Sequence, residues 1–243
     1  MEEDVEVQLL DDEEPADDLS VKASRQKVST LYAWGKNKNG ELSLGNPKSV
    51  SEPQVLRANI GYARQIASGY KHSALVNSDG LLYVTGELLH GKLGLDKEIT
   101  NIFKFQIQPS MQNMKVKQVA CGSYHTLALI ENGEVYSWGG TLWGKTGQKT
   151  GRVNQVRILA PHHITEIACG DSHSIALNDK GDVFSWGGGG ANKNKGQLGH
   201  SKYVDLENPE QIQFFKGKRI RTVACGDYHT MALTEEGELY AWG

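Results

Sequence analysis

Residues 119 to 139, VACGSYHTLALIENGEVYSWG, place two apolar runs on either side of a polar Asn132-Gly133 pair. That pattern predicts two strands around a tight turn. It recurs around Ser78-Asp79-Gly80, Asp179-Lys180-Gly181 and Glu235-Glu236-Gly237. Each copy supplies glycine where a hairpin demands positive φ. The Ala and Leu that alternate after each histidine are expected to bury one face of their strand. No segment carries apolar residues at helical spacing, so the chain is predicted to be all-β.

The copies share a longer element, GxxHTxALxxxGxxYxWG, with fixed internal spacing. Its histidines are His72, His125, His173 and His229, lying 53, 48 and 56 residues apart. Eight residues beyond them stand Gly80, Gly133, Gly181 and Gly237, and five further on stand Thr85, Trp138, Trp186 and Trp242. A partial copy ending at Trp34-Gly35 opens the series. A period near fifty is the mark of a propeller or another repeat array. The variation falls between each WG and the next histidine, where private function is expected.

Past the tryptophan the element continues as WGKNKNGELSLG, TGELLHGKLG, WGGTLWGKTG and WGGGGANKNKGQLG. The whole resembles the repeat of the regulator of chromosome condensation family, which continues as WGxNxxGQLG. The resemblance covers roughly residues 31 to 243 and implies a β-propeller of that family's type. About four blades of an expected seven are present, with repeats over about 31–84, 85–137, 138–185 and 186–243. Founders of the family are guanine nucleotide exchange factors for the small GTPase Ran, working through a propeller face and a protruding β-hairpin wedge. No variable segment here has the length of such a wedge. A photoreceptor branch of the family relies on tryptophan in GWRHT motifs. The stretches before His72, His125, His173 and His229 contain none.

The net charge of −3 conceals an asymmetry, because residues 1 to 18 hold ten Asp or Glu and no Lys or Arg. The remainder therefore carries +7. Residues 1–27 read as an acidic disordered tail and 28–243 as the repeats. No apolar run approaches twenty residues and the N-terminus is acidic, so neither membrane insertion nor a secretory signal is expected. The setting is read as intracellular, the cytoplasm ahead of the nucleus. Cys121, Cys169 and Cys225 share one repeat position and are expected to be buried reduced thiols.

Gly139 to Thr146 spells GxxxxGKT, the phosphate-binding loop, but the residues after it are glycine-broken and lack helical periodicity. A turn of the repeat explains the match, and no cofactor is expected. The four histidines are too far apart in sequence for a zinc cluster and read as structural, as do Trp34, Trp138, Trp186, Trp242 and the four turn glycines. Thr85 is expected to leave one blade without a large packing residue. Lys216, Lys218, Arg219 and Arg221 read as a solvated strand face, and direct nucleic-acid binding is not expected. Nothing resembles a catalytic nucleophile or acid–base motif. The favoured function is a non-catalytic scaffold binding a protein partner, with regulation of a small Ran-like GTPase as the alternative. Candidate contacts on the variable turns are Lys36, Asn37, His90, Leu142, Trp143, Asn192 and Lys193.

Overall fold

A computed structural model describes residues 29–96, 100–188 and 195–243. Every strand pairing in it is antiparallel. Three sheets have four strands each. The first holds β3 (Ala63–Gly69), β4 (His72–Asn77), β5 (Leu82–Glu87) and β6 (Asn101–Ile107). The second holds β7 (Val116–Cys121), β8 (His125–Ile130), β9 (Val135–Gly139) and β10 (Asn154–Gln155). The third holds β11 (Ile164–Cys169), β12 (His173–Asn178), β13 (Val183–Gly187) and β14 (Leu206–Gln211). A two-stranded sheet of β1 (Leu31–Gly35) and β2 (Val50–Leu56) precedes them. A three-stranded sheet of β15 (Ile220–Cys225), β16 (Thr230–Thr234) and β17 (Leu239–Trp242) comes last. Among the described residues the only helical segments are 3-10 turns of three residues.

The hairpin turns close as their chemistry requires. Gly80, Gly133, Gly181 and Gly237 have φ of 80°, 85°, 83° and 89°. The first strand of each of the last four sheets carries an irregularity in pairing at the same place, opposite the end of the second strand. These bulges add local twist. First strands of successive sheets pack on one another, β3 on β7, β7 on β11 and β11 on β15. The sheets thus stack radially around a common axis.

Apolar side chains fill the spaces between sheets. Ala74, Val76, Leu82 and Val84 meet Val119, Ala128, Ile130 and Trp138. Leu127, Leu129 and Val135 meet Ile164, Ile167, Ala176 and Trp186, and Ile175, Leu177 and Val183 meet Ile220, Val223 and Ala232. The expectation of one buried face is corrected here: β8 and β12 are buried along their whole length. Alternate residues serve the sheet before and the sheet after, since a strand between two packed sheets has no solvent face.

Two further positions bear on the sequence reading. Thr85 is fully buried, and its Oγ1 lies 2.9 Å from the carbonyls of both Gly40 and Ile102. Trp138 and Trp242 direct Nε1 at the equivalent turn carbonyls of Lys92 and Gln197, at 2.9 Å in each case. Thr85 bonds instead to Gly40, one residue before Glu41, whose carbonyl holds the equivalent place and accepts from Ser73 Oγ. Trp34 is 56% exposed, because no preceding sheet covers it among the described residues, whereas Trp138 and Trp186 are fully buried. The repeat frame read from the sequence starts a unit at residue 85, inside β5, so sequence repeat and sheet are out of phase. β17 is the third strand of its sheet and forms its edge.

Candidate interaction face

A hydrogen-bonded junction repeats between sheets and fixes the geometry of the face above it. His72 Nε2 lies 3.1 Å from Thr126 Oγ1, His125 Nε2 lies 2.9 Å from Ser174 Oγ, and His173 Nε2 lies 3.0 Å from Thr230 Oγ1. Each hydroxyl also donates to a turn carbonyl of the preceding sheet: Thr126 to Lys92 at 2.8 Å, Ser174 to Lys145 at 2.7 Å and Thr230 to Gln197 at 2.9 Å. A hydroxyl has one proton, so it must accept from the imidazole, which fixes the neutral Nε2–H tautomer. Burial lowers the pKa of His72 and of His173 to about 4, and the Lys92 ammonium adds to the effect at His72. Burial takes His125 well below the usual imidazole value, aided by the charge of Lys145. Nδ1 of His125 and of His173 has no hydrogen-bond partner in the structure. His229, on the last sheet, is exposed.

Before each histidine stands a glycine, and a Cβ on Gly122 would collide with the His125 ring and the Gly170 carbonyl. Cys121, Cys169 and Cys225 end their first strands, Ser68 is the penultimate residue of β3, and all four line an axial cavity of about 400 Å³. The thiols are partly buried rather than sealed in the core. Desolvation pushes Cys121 and Cys225 up to about 12 and Cys169 well above the usual thiol range.

The turns after β5 and β9 build one face of the molecule. Each contains a 3-10 turn, Leu89–Gly91 and Leu142–Gly144, whose central residue is left-handed: φ is 63° at His90 and 61° at Trp143. A bulky aromatic at positive φ is strained, and strain of that kind collects at functional surfaces. Trp143 is 37% exposed and Leu142 is 66% exposed. His90 is also exposed and meets the edge of Tyr124, with centroids 5.0 Å apart. These residues, with Gly139, Gly140 and Lys145, line a recess of about 410 Å³. Lys145 Nζ sits 4.9 Å from the Trp143 centroid and 5.3 Å from that of Tyr124.

The remaining candidates divide. Lys36 is exposed. Asn37 is fully buried, with Nδ2 donating to the carbonyls of Asn46 and Lys48 at 2.7 and 3.2 Å and Oδ1 accepting from Leu42 N at 2.8 Å. Its amide therefore holds the loop in shape and is unavailable to a partner, which corrects the sequence reading. Asn192 and Lys193, like the acidic residues 1–27, lie outside the described residues. Sequence reasoning missed Lys71, Glu87, Lys92 and Tyr124. Lys71 Nζ and Lys92 Nζ lie 3.1 and 2.6 Å from the two oxygens of Glu87, and Lys92 Nζ lies 5.3 Å from the Tyr124 centroid. The signal was lysine in GKLG and GKTG, where the family repeat has glutamine.

The GxxxxGKT match has no phosphate cradle. Lys145 is buried against aromatic rings, Thr146 Oγ1 donates to the Gln148 carbonyl at 3.0 Å, and residues 145–153 form turns and bends where a helix would be needed. Among the described residues no group of three or more His, Cys, Asp or Glu side chains is placed to hold a metal ion, and no helix is long and apolar enough to cross a membrane.

A family model described as "Regulator of chromosome condensation (RCC1) repeat" matches residues 29–76, 132–177 and 180–233, and a second of the same description matches 116–141. The chain is 34% identical over 218 residues to the Ultraviolet-B receptor UVR8 of Arabidopsis thaliana, covering 88% of this chain and 48% of the receptor. It is 32% identical over 226 residues to the Secretion-regulating guanine nucleotide exchange factor of Bos taurus, covering 89% of this chain and 48% of that protein. The match to the human E3 ubiquitin-protein ligase HERC2 is 33% over 221 residues, 88% of this chain but 4% of the ligase. This chain thus spans about half the length of the receptor and of the exchange factor. Among solved structures, human WBSCR16 superposes with a TM-score of 0.73 at 22% identity, over 90% of this chain and 57% of that one. Prp20p from Saccharomyces cerevisiae, from a study titled for its binding properties to Gsp1p and histones, gives 0.55 at 20% identity, over 90% of this chain and 66% of that one.

Proposed function

Because the chain belongs to the regulator of chromosome condensation (RCC1) repeat family, we propose that it is a non-catalytic protein-interaction scaffold. Its partner docks on the face built by the turns after β5 and β9. One observation carries this reading. Two aromatic side chains at equivalent turn positions, His90 and Trp143, are held exposed in strained left-handed backbone around a recess walled by Tyr124. Strain of this kind costs about 1–3 kcal/mol and persists only where packing imposes it. Here the stacked sheets and the histidine junctions beneath supply the rigid base, and exposed aromatics on rigid turns suit an interface anchor.

The test is partner capture by the full chain and by a variant with His90→Asn and Trp143→Asn. Asparagine tolerates left-handed backbone, so the fold should survive, as circular dichroism would verify. A captured protein, identified and purified, should rebind the wild-type chain and bind the variant at least about tenfold more weakly, a loss of about 1.4 kcal/mol. Equal binding by both would refute the assignment of the face.

A second reading comes from the likeness to the guanine nucleotide exchange factor: regulation of a small Ran-like GTPase. It is separated by following release of fluorescent GDP from such GTPases with catalytic amounts of the chain. The scaffold reading expects release at the intrinsic rate, and clear acceleration would replace it with exchange activity.

A further inference from the structure

On the interaction face a single carboxylate serves two ammonium groups. Glu87 Oε1 is 3.1 Å from Lys71 Nζ and Glu87 Oε2 is 2.6 Å from Lys92 Nζ, leaving the three residues with one positive charge in excess. Lys92 is fully buried. Burial draws its ammonium below the usual lysine range against the pull of Glu87, and the charge of Lys71 works in the same direction as burial. The Lys71 ammonium, on a side chain 28% exposed beside this buried pair, is the one that an incoming anion can reach, and the apolar surroundings strengthen the attraction. The other basic run differs in both respects. Lys218 and Arg219 are exposed and face Glu238 and Glu235 at 3.5 and 3.8 Å.

The charged cluster adjoins the aromatic recess through Tyr124, whose ring centroid is 5.3 Å from Lys92 Nζ. A fitting ligand therefore places carboxylates next to apolar side chains. The chain carries such a sequence: Leu9-Leu10 directly precede Asp11-Asp12-Glu13-Glu14, within the eighteen residues that hold ten acidic groups and no basic one. Fourteen residues lie between Glu14 and Ser29, a reach of about 50 Å when extended. A body of this size is about 45 Å across.

We infer that Leu9 to Glu14 of the chain's own N-terminal segment dock on this face, the carboxylates against Lys71 and the leucines in the recess between Tyr124 and Trp143. The segment then competes with the protein partner for one surface. The inference rests on the interaction-face reading above for the location of the partner.

Zero-length carbodiimide joins a carboxylate to an amine only where the two touch, so the full chain can report its own contacts. Mass spectrometry of the joined peptides is expected to find Asp11 to Glu14 linked to Lys71, with a yield independent of protein concentration. The yield should fall several-fold in the Trp143→Asn variant and in about 0.5 M salt, where the Debye length is about 4 Å. Links mainly to Lys216 or Lys218, links spread evenly over exposed lysines, or no links would overturn the inference. A yield that rises with concentration would do so as well, because it assigns the contact to a second copy's segment. A partner lost with Trp143 while no Lys71 link forms would keep the interaction face and sink the docked segment. Lys71 links in a chain that captures no partner would do the reverse.

Discussion

The buried histidines set the chain's response to substitution and to acid. His125→Ala would remove a donor from Ser174 and open space beside Gly122, at a cost of roughly 1–3 kcal/mol in chemical denaturation. His229→Ala should cost little, since its side chain is exposed. The acid response comes from the depressed folded-state values. His72 and His173 titrate near 4 in the folded protein, against about 6.5 when unfolded. Their contribution is complete above pH 6.5 and is lost as pH falls through the folded value, on the order of 3 kcal/mol per residue. Denaturation midpoints measured between pH 7 and 4 should therefore fall steeply, and an unchanged midpoint would contradict the neutral junction. For Cys121, Cys169 and Cys225, pKa values raised by burial keep the thiolate scarce. Iodoacetamide at pH 7.5 should label them far more slowly in the native chain than in denaturant.

Within each sheet the third strand separates packing from position. Trp138→Ala should cost about 3–5 kcal/mol, because a fully buried indole and its hydrogen bond to the Lys92 carbonyl disappear together. Trp34→Ala, at the same repeat position but 56% exposed, should stay within about 0.5 kcal/mol. Comparable losses at the two sites would show that Trp34 is covered in solution. The hairpin of the second and third strands in each of the last four sheets was legible because hairpin glycines and alternating apolar residues write themselves into sequence at short range. The strand before it was not read as separate. Nor were the outer strands. Val50–Leu56, Asn101–Ile107, Asn154–Gln155 and Leu206–Gln211 share no pattern, and two of them contain proline, which an outer strand tolerates. The lysine cluster was missed for another reason: Lys71, Glu87 and Lys92 come from separate loops and strand ends of one sheet, and Tyr124 joins them only once the next sheet has stacked.

Among the described residues the stack of sheets leaves an exposed apolar face at each end. Tyr32, Trp34 and Ile66 are exposed at one end and Phe214 and Leu239 at the other. Faces of this kind are sticky, so the 243-residue chain is expected to sediment at micromolar concentration above its 26.7 kDa mass. A stable monomer would mean that the ends cover each other. The histidine junction gives the stack a direction, since each unit offers an imidazole forward and a hydroxyl backward. Such a rule is local and contains no count. Residues 73–125 could be excised, joining His72 to Thr126 in one strand, and His72 would then face Ser174 instead of its present neighbour. A gene that gained or lost such a segment by unequal crossing-over would still encode compatible joints, whereas a cut out of phase would leave two mismatched ones. The molecule is in that sense a sentence whose grammar permits any number of clauses.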